Sequence, residues 1–200
     1  MQLGQNQCGV NLMHVASMIE ENKKLLAKYP WFKLDEMPQG WIAAFGELMC
    51  EDIQQELEKF DYVDKYEIVQ VKEKFATLTI YDNGVPEGCK VHDIIEDYSA
   101  LSEFICIGCG ELNVPCTIDS WIVPICKKCI RKMNYKNPEE KWDDFSKKQQ
   151  PHMLPFYRVY RQWTPNKEKP EEISVDLSDK LDRIVKRYAE RKENGEFAVQ

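Results

Sequence analysis

The spacing of apolar residues predicts four helices along the chain. Apolar side chains recur every three or four residues over 11–28, 41–60, 90–104 and 177–192, which is the period of an amphipathic helix. Pro30 ends the first helix, since its ring is incompatible with a continuing helical turn. The inward stripes of the other three comprise Ile42, Phe45, Leu48, Met49, Ile53, Leu57 and Phe60; Val91, Ile94, Ile95, Tyr98, Leu101 and Ile105; and Leu177, Leu181, Ile184, Val185 and Tyr188.

The period changes to two between the second and third helices. Alternation over 68–72 and again over 77–81 predicts a β-hairpin with one polar face. Residues 131–170 are rich in lysine, proline and aromatic side chains and show only weak periodicity. The sequence therefore predicts an α+β protein, with helices and a hairpin in its first half and a closing helix near its end.

Two cysteine pairs give the strongest chemical signal. Cys106 and Cys109 form one C-x2-C pair, Cys126 and Cys129 form a second, and sixteen residues separate the pairs. This spacing is typical of zinc sites, because a two-residue spacer turns both thiolates toward one ion at about 2.3 Å. Four thiolates close the tetrahedral shell, so we expect one structural Zn²⁺ per chain and no catalytic position on it.

The surroundings of the pairs suggest the kind of zinc module. Residues 115–124 contain short β-prone runs around Asp119-Ser120, which predicts a hairpin, and a helix can begin after the second pair. This order is treble-clef-like, and a zinc ribbon is the near alternative. The remaining cysteines lack metal-ligand spacing, and Cys50 is predicted to be a small core residue. They are Cys8, Cys50, Cys89 and Cys116.

Common enzyme signatures are missing from the sequence. It contains no phosphate-binding G-x4-G-K-[ST] loop, no G-x-S-x-G and no H-E-x-x-H. Its histidines, His14, His92 and His152, all lie outside the zinc segment. The acidic pairs Glu51-Asp52, Glu96-Asp97 and Asp143-Asp144 are interpreted as solvated faces. We therefore predict a non-enzyme, with a metal-dependent hydrolase using Asp143 or Asp144 as a remaining alternative.

Charge divides the 200-residue chain into an acidic front and a basic back. The total of 27 basic and 34 acidic residues gives a net charge of −7 and excludes a uniformly basic nucleic-acid protein. Residues 1–105 carry 9 basic and 19 acidic side chains, whereas residues 127–169 carry 12 and 5. Cations interleaved with aromatics suit core packing, a protein interface or nucleic acid, in that order. The candidate surface comprises Lys127, Lys128, Arg131, Lys132, Arg158, Arg161 and Trp163.

Several short motifs carry a family resemblance over about residues 18–130. They are Lys28-Tyr-Pro-Trp-Phe32, Gly40-Trp41, Gln70-Val-Lys-Glu-Lys-Phe75, Thr77-Leu-Thr-Ile-Tyr81 and the two cysteine pairs. In this order they resemble a family of small, largely uncharacterised proteins of bacteria and phages. The resemblance implies a zinc-knuckle protein, often carried on mobile elements, and implies no activity. Family members usually have glycine after the phenylalanine, where this chain has Ala76, so the resemblance by itself does not imply a positive φ at this turn.

Three segments follow from these patterns: an acidic helix–helix–hairpin–helix unit (1–105), a four-cysteine zinc module (106–135) and a basic, aromatic extension with a closing helix (136–200). The chain shows no secretory signal and no apolar run near 20 residues. We expect a cytoplasmic protein that binds, and thereby inhibits, a host or defence protein complex. A nucleic-acid-binding regulator is the alternative.

Overall fold

The structure is a computed structural model that describes residues 23–32, 37–111, 116–118, 121–132, 157–162 and 171–194. Its helices are α1 (23–28), α2 (α-helical Gln39–Trp41, π-helical Ile42–Gly46 and α-helical Glu47–Lys59), α3 (Val91–Ser102), α4 (Lys127–Lys132) and α5 (Ser178–Glu193), with a 3₁₀ turn at Val63–Lys65. Its strands are β1 (Ile68–Lys74), β2 (Thr77–Asp82), β3 (Cys116–Ile118), β4 (Trp121–Val123), β5 (Tyr157–Gln162) and β6 (Glu171–Asp176). The α+β class is confirmed.

The predicted helices agree with α1–α3 and α5, although α2 begins two residues early and residues 11–22 lie outside the described part. The π-helical stretch of α2 is buried on every side, from Ile42 to Gly46. Phe45 stacks on Tyr98 of α3 with ring centroids 5.5 Å apart, and Trp41 lies 6.4 Å from Phe45. This part of α2 therefore lies at the centre of the core. The predicted apolar stripe covers only one side of the helix, whereas here all sides are buried.

The β1–β2 hairpin is confirmed, and its turn differs from expectation. The antiparallel register pairs Lys74 with Thr77, which leaves Phe75 and Ala76 as a two-residue loop. Both loop residues have positive φ, +52° and +70°, as two-residue hairpin loops with the twist of the strands require. Ala76 adopts this conformation without being glycine, and the Glu73 side chain accepts a hydrogen bond of 2.7 Å from its N–H.

Two serine side chains of α3 hydrogen-bond to the backbone of Leu78 at the outer edge of β2. The backbone N–H of Leu78 donates to Ser102 Oγ at 2.8 Å, and Ser99 Oγ donates to the carbonyl of Leu78 at 2.5 Å. Leu78 is buried, so water cannot replace these partners. The short two-stranded sheet is thus fastened to the helical core by side-chain hydroxyls.

The closing helix α5 joins the same core as α2 and α3. Leu177, Leu181 and Ile184 are buried in the common apolar cluster. Val185, which the spacing predicted to face inward, is instead 43% exposed. The buried side of α5 therefore includes fewer positions than the apolar stripe of the sequence. Helix α5 belongs to the third predicted segment, yet its apolar side packs with the first.

Polar contacts at the α2–α3–α5 junction correct the prediction of solvated acidic faces for Asp52 and Asp97, whereas Glu96 is exposed, as predicted. Asp52 accepts a hydrogen bond from Tyr98 Oη at 2.7 Å and from Arg183 Nη1 at 2.9 Å. Asp97 lies 3.2 Å from Lys180 Nζ, and both carboxylates are largely buried. Asp52 and Asp97 therefore form ion pairs with Arg183 and Lys180 of α5, a helix that is distant from both in sequence.

A third hairpin was not predicted. Strand β5 pairs with β6 in an antiparallel register that runs from Tyr157 opposite Asp176 to Gln162 opposite Glu171. The sequence carried only a partial signal, because Arg158 separates Tyr157 from Val159 but Tyr160 follows Val159 directly and breaks the alternation. The weak periodicity of the surrounding residues 131–170 concealed it.

Replacing Ser102 by alanine tests the serine attachment of β2. The substitution leaves the buried N–H of Leu78 without an acceptor, so we expect the free energy of unfolding to fall by about 1–3 kcal/mol. Ser99→Ala removes only a donor to a carbonyl and should cost less. Chemical denaturation measures both variants, and equal losses would contradict the assignment.

Candidate metal centre

The first cysteine turn is shaped by its own backbone. The N–H of Cys106 donates to the carbonyl of Glu111 at 2.8 Å, and the N–H of Gly110 donates to the carbonyl of Cys106 at 2.9 Å. Gly110 has φ +78°, which favours glycine. At Gly108 a Cβ would lie 3.0 Å from Cys129 Sγ, so this glycine leaves room for the fourth thiol.

The second pair is placed by the start of α4. Cys126 directly precedes the helix, and Cys129 lies within its first turn. The N–H of Cys126 donates to Cys106 Sγ at 3.3 Å, and the N–H of Cys129 donates to Cys126 Sγ at 3.4 Å. A backbone hydrogen bond of 2.7 Å from Ile107 to Pro124 joins the two turns. The chain thus brings together pairs that are distant in sequence.

The four sulfur atoms form a compact group suited to one metal ion. All lie within 4.8 Å of one another, and the sulfurs of Cys109 and Cys126 are 3.6 Å apart. A tetrahedral zinc site with bonds of about 2.3 Å has sulfur–sulfur edges of about 3.8 Å, whereas a disulfide measures about 2.05 Å. All four cysteines are free thiols. The residues present therefore fit a tetrahedral thiophilic ion.

The thiols also influence one another's protonation. Hydrogen bonding, chiefly from Cys106, lowers the pKa of Cys126, and hydrogen bonding from Cys109 lowers the pKa of Cys106. Cys109 and Cys129 have raised pKa values, chiefly because they hydrogen-bond to Cys106. The four thiols are thus close enough to share hydrogen bonds, and a bound cation would favour their thiolate forms.

Gly40 and Trp41 hold the first cysteine turn against α2. The N–H of Gly40 donates to the carbonyl of Ile107 at 2.9 Å, and the indole N–H of Trp41 donates to the carbonyl of Ile105 at 2.8 Å. A Cβ on Gly40 would lie only 2.1 Å from the carbonyl oxygen of Cys106. The sequence alone gives no sign that Gly40 and Trp41 place the cysteine turn, because the carbonyl that Trp41 contacts is 64 positions away.

The remaining predicted residues are distributed as follows. Lys128 and Arg131 are exposed on α4. Helix α4 includes the backbone of Lys127 and Lys132, and strand β5 includes that of Arg158 and Arg161. Six predicted residues lie outside the described part of the chain: Cys8, His14, Asp143, Asp144, His152 and Trp163.

The cysteines outside the cluster behave as ordinary thiols where they are described. Cys50 is fully buried in the core, as predicted, and burial raises the pKa of its thiol. Cys89 is partly buried, and the backbone of Cys116 begins β3. His92 is exposed, and its Nε2 lies 3.1 Å from Asp82, so this histidine takes part in a surface pair away from the sulfur cluster.

Comparison with protein-family models, with curated proteins and with solved structures found no match for this chain. The family resemblance therefore stays a prediction. Among the described residues, no helix combines the length and apolar character needed to cross a membrane.

Gly40→Ala tests whether the close approach at Gly40 holds the metal centre. The added methyl meets backbone atoms, which cannot move aside, so we expect a loss of about 3 kcal/mol in the free energy of unfolding and weaker metal binding. Gly46→Ala is the matched control, since its Cβ would contact the Leu25 side chain at an ordinary 3.4 Å. Denaturation and metal titration measure both, and equal behaviour of the two variants would contradict the assignment.

Proposed function

We propose that Cys106, Cys109, Cys126 and Cys129 bind one structural Zn²⁺ per chain in a treble-clef-like module. Two observations support this. The four sulfurs lie within 4.8 Å of one another. One cysteine pair precedes the β3–β4 hairpin, and the other follows it at the start of α4. Bound zinc supplies a cross-link between distant parts of the chain. Because four thiolates complete its shell, it offers no open position for a substrate.

The zinc proposal makes a direct prediction about metal content. We expect elemental analysis to find about one zinc per chain. Cys109→Ser should lose most of this zinc and destabilise the protein, whereas Cys89→Ser, outside the cluster, should retain it. A folded, metal-free wild-type protein, or a disulfide between Cys106 and Cys129, would contradict the proposal.

We further propose that the protein is a non-enzymatic interaction protein. The observation that supports this most directly is Phe75 at the tip of the β1–β2 hairpin. Its side chain is 78% exposed, and its φ is +52°. A left-handed backbone is unfavourable for a bulky residue, and within this chain little apolar burial offsets that cost. Contact with a partner would supply the missing burial.

The surface around Phe75 suggests the chemistry of the partner. Val69 and Tyr81 of the same hairpin are also exposed. Lys74 Nζ lies 5.5 Å from the Phe75 ring centroid, and Lys72 Nζ lies 4.7 Å from that of Tyr81. Aromatic residues beside cations are common anchors of protein interfaces. We propose a protein partner with an apolar pocket bordered by carboxylates.

The family resemblance supplies the biological setting of this proposal. A phage or mobile-element protein of this kind would act in the cytoplasm of a host cell and inhibit a host or defence complex by occupying its surface. A metal-dependent hydrolase has no support among the described residues, since Asp143 and Asp144 lie outside them.

A nucleic-acid-binding regulator is the second candidate, because Lys128 and Arg131 are exposed beside the metal centre. Such a regulator would lose affinity steeply as salt increases. The protein-interface proposal predicts a complex that survives nuclease treatment, which separates the two candidates in the same capture experiment.

Phe75→Asn separates binding from stability. Asparagine tolerates the left-handed region, so we expect the free energy of unfolding to rise by about 0.5–1 kcal/mol. The same variant should lose the partner captured from host lysate by the immobilised wild-type protein. Val185→Asn, which replaces an exposed apolar residue on α5, should keep the partner. Equal capture by wild type and Phe75→Asn would contradict the hairpin assignment.

A further inference from the structure

A small cleft lies between α1, the π-helical part of α2 and α5, away from the four cysteines. Its volume is about 250 Å³. Lys24 and Lys28 of α1 and Arg187 and Arg191 of α5 bring four cations to its wall. The sequence separates these residues by more than 150 positions, and the fold brings them to one place.

Glu47, the one carboxylate among the described residues that line this cleft, is already engaged. Glu47 accepts a hydrogen bond from Lys28 Nζ at 3.1 Å and another from Arg187 Nη2. Burial alone would raise the pKa of Glu47, but the hydrogen bonds from these two cations hold it below its usual range. Glu47 is therefore ionised. The described lining of the cleft contains four cations and one carboxylate, and Glu51 lies beside it with Oε1 3.4 Å from Lys28 Nζ.

One donor at the cleft is buried without an acceptor. Arg187 Nε has no hydrogen-bond partner among the described residues. Buried polar groups are nearly always hydrogen-bonded, so this nitrogen indicates an acceptor supplied from outside the described residues. Arg191 contributes its own guanidinium beside it and is held in place by donating to the carbonyl of Ala43 at 3.0 Å.

We propose that this cleft binds a small phosphomonoester. A phosphate dianion offers several acceptor oxygens, one of which can accept from the unsatisfied Arg187 Nε, and guanidinium groups bind such oxygens in matching planar geometry. Leu25 and Ile42 form an apolar part of the wall, which can contact the organic part of the ester. A volume of about 250 Å³ suits a sugar phosphate, since larger ligands occupy pockets of about 300–1,000 Å³.

This site is independent of the zinc and partner proposals. It uses none of the four cysteines and none of the hairpin residues. A ligand there would connect α1 to α5, so binding should also stabilise the contact between the beginning and the end of the described chain.

Calorimetric titration of the full-length, zinc-loaded protein with ribose 5-phosphate tests the proposal, with ribose as the uncharged comparison. We expect saturable binding of ribose 5-phosphate, no binding of ribose, and an affinity that decreases with salt. Arg187→Gln should weaken binding about tenfold, the effect of losing a charge-assisted hydrogen bond. Lys24→Gln, at an exposed position, should also weaken it and keeps the test valid if Arg187→Gln fails to fold.

Lys186→Gln is the matched control, because it removes one positive charge from an exposed position of α5 that does not line the cleft. Its affinity for ribose 5-phosphate should equal that of the wild type. Absence of saturable binding at low salt would overturn the proposal. Equal weakening by Lys186→Gln and Lys24→Gln would also overturn it, since that result indicates diffuse attraction to net charge.

Discussion

Two donors on α2 hold the first cysteine turn, and both depend on the absence of a side chain at Gly40. The Gly40 N–H and the Trp41 indole bind the carbonyls of Ile107 and Ile105, with backbone atoms too close for any Cβ. Trp41 is fully buried and continues into the π-helical stretch that forms the centre of the core. The four-cysteine cluster is thus attached to the core itself, so we expect metal binding there to be coupled to folding.

The charge asymmetry of the sequence has a structural use. Acidic residues of the front and basic residues of α5 meet at the junction of α2, α3 and α5, where Arg183 contacts Asp52 and Lys180 contacts Asp97. These pairs are partly shielded from water, and Tyr98 donates to Asp52 beneath them. Part of the acidic front is therefore neutralised within the chain. The hairpin differs from it, because Lys74, Phe75 and Tyr81 are exposed there.

Local patterns predicted the local features well. Apolar spacing placed α2, α3 and α5, alternation placed β1 and β2, and cysteine spacing identified the four thiols that the structure groups together. What these patterns lacked was long-range information. Burial of Asp52 depends on a cation 131 positions away, and the role of Gly40 depends on a turn that begins beyond residue 100. The conformation of Ala76 follows from strand twist and register, which override the preference of a single residue.

Equilibrium unfolding followed with two probes tests whether the four-cysteine centre, loaded with zinc, and the helical core form one cooperative unit. Helical content measured by circular dichroism reports the core, and a colorimetric chelator reports released zinc. We expect a single transition in which both signals change at the same denaturant concentration. Release of zinc at lower denaturant, with the helical signal intact, would show that the centre is a separate module and would contradict the account.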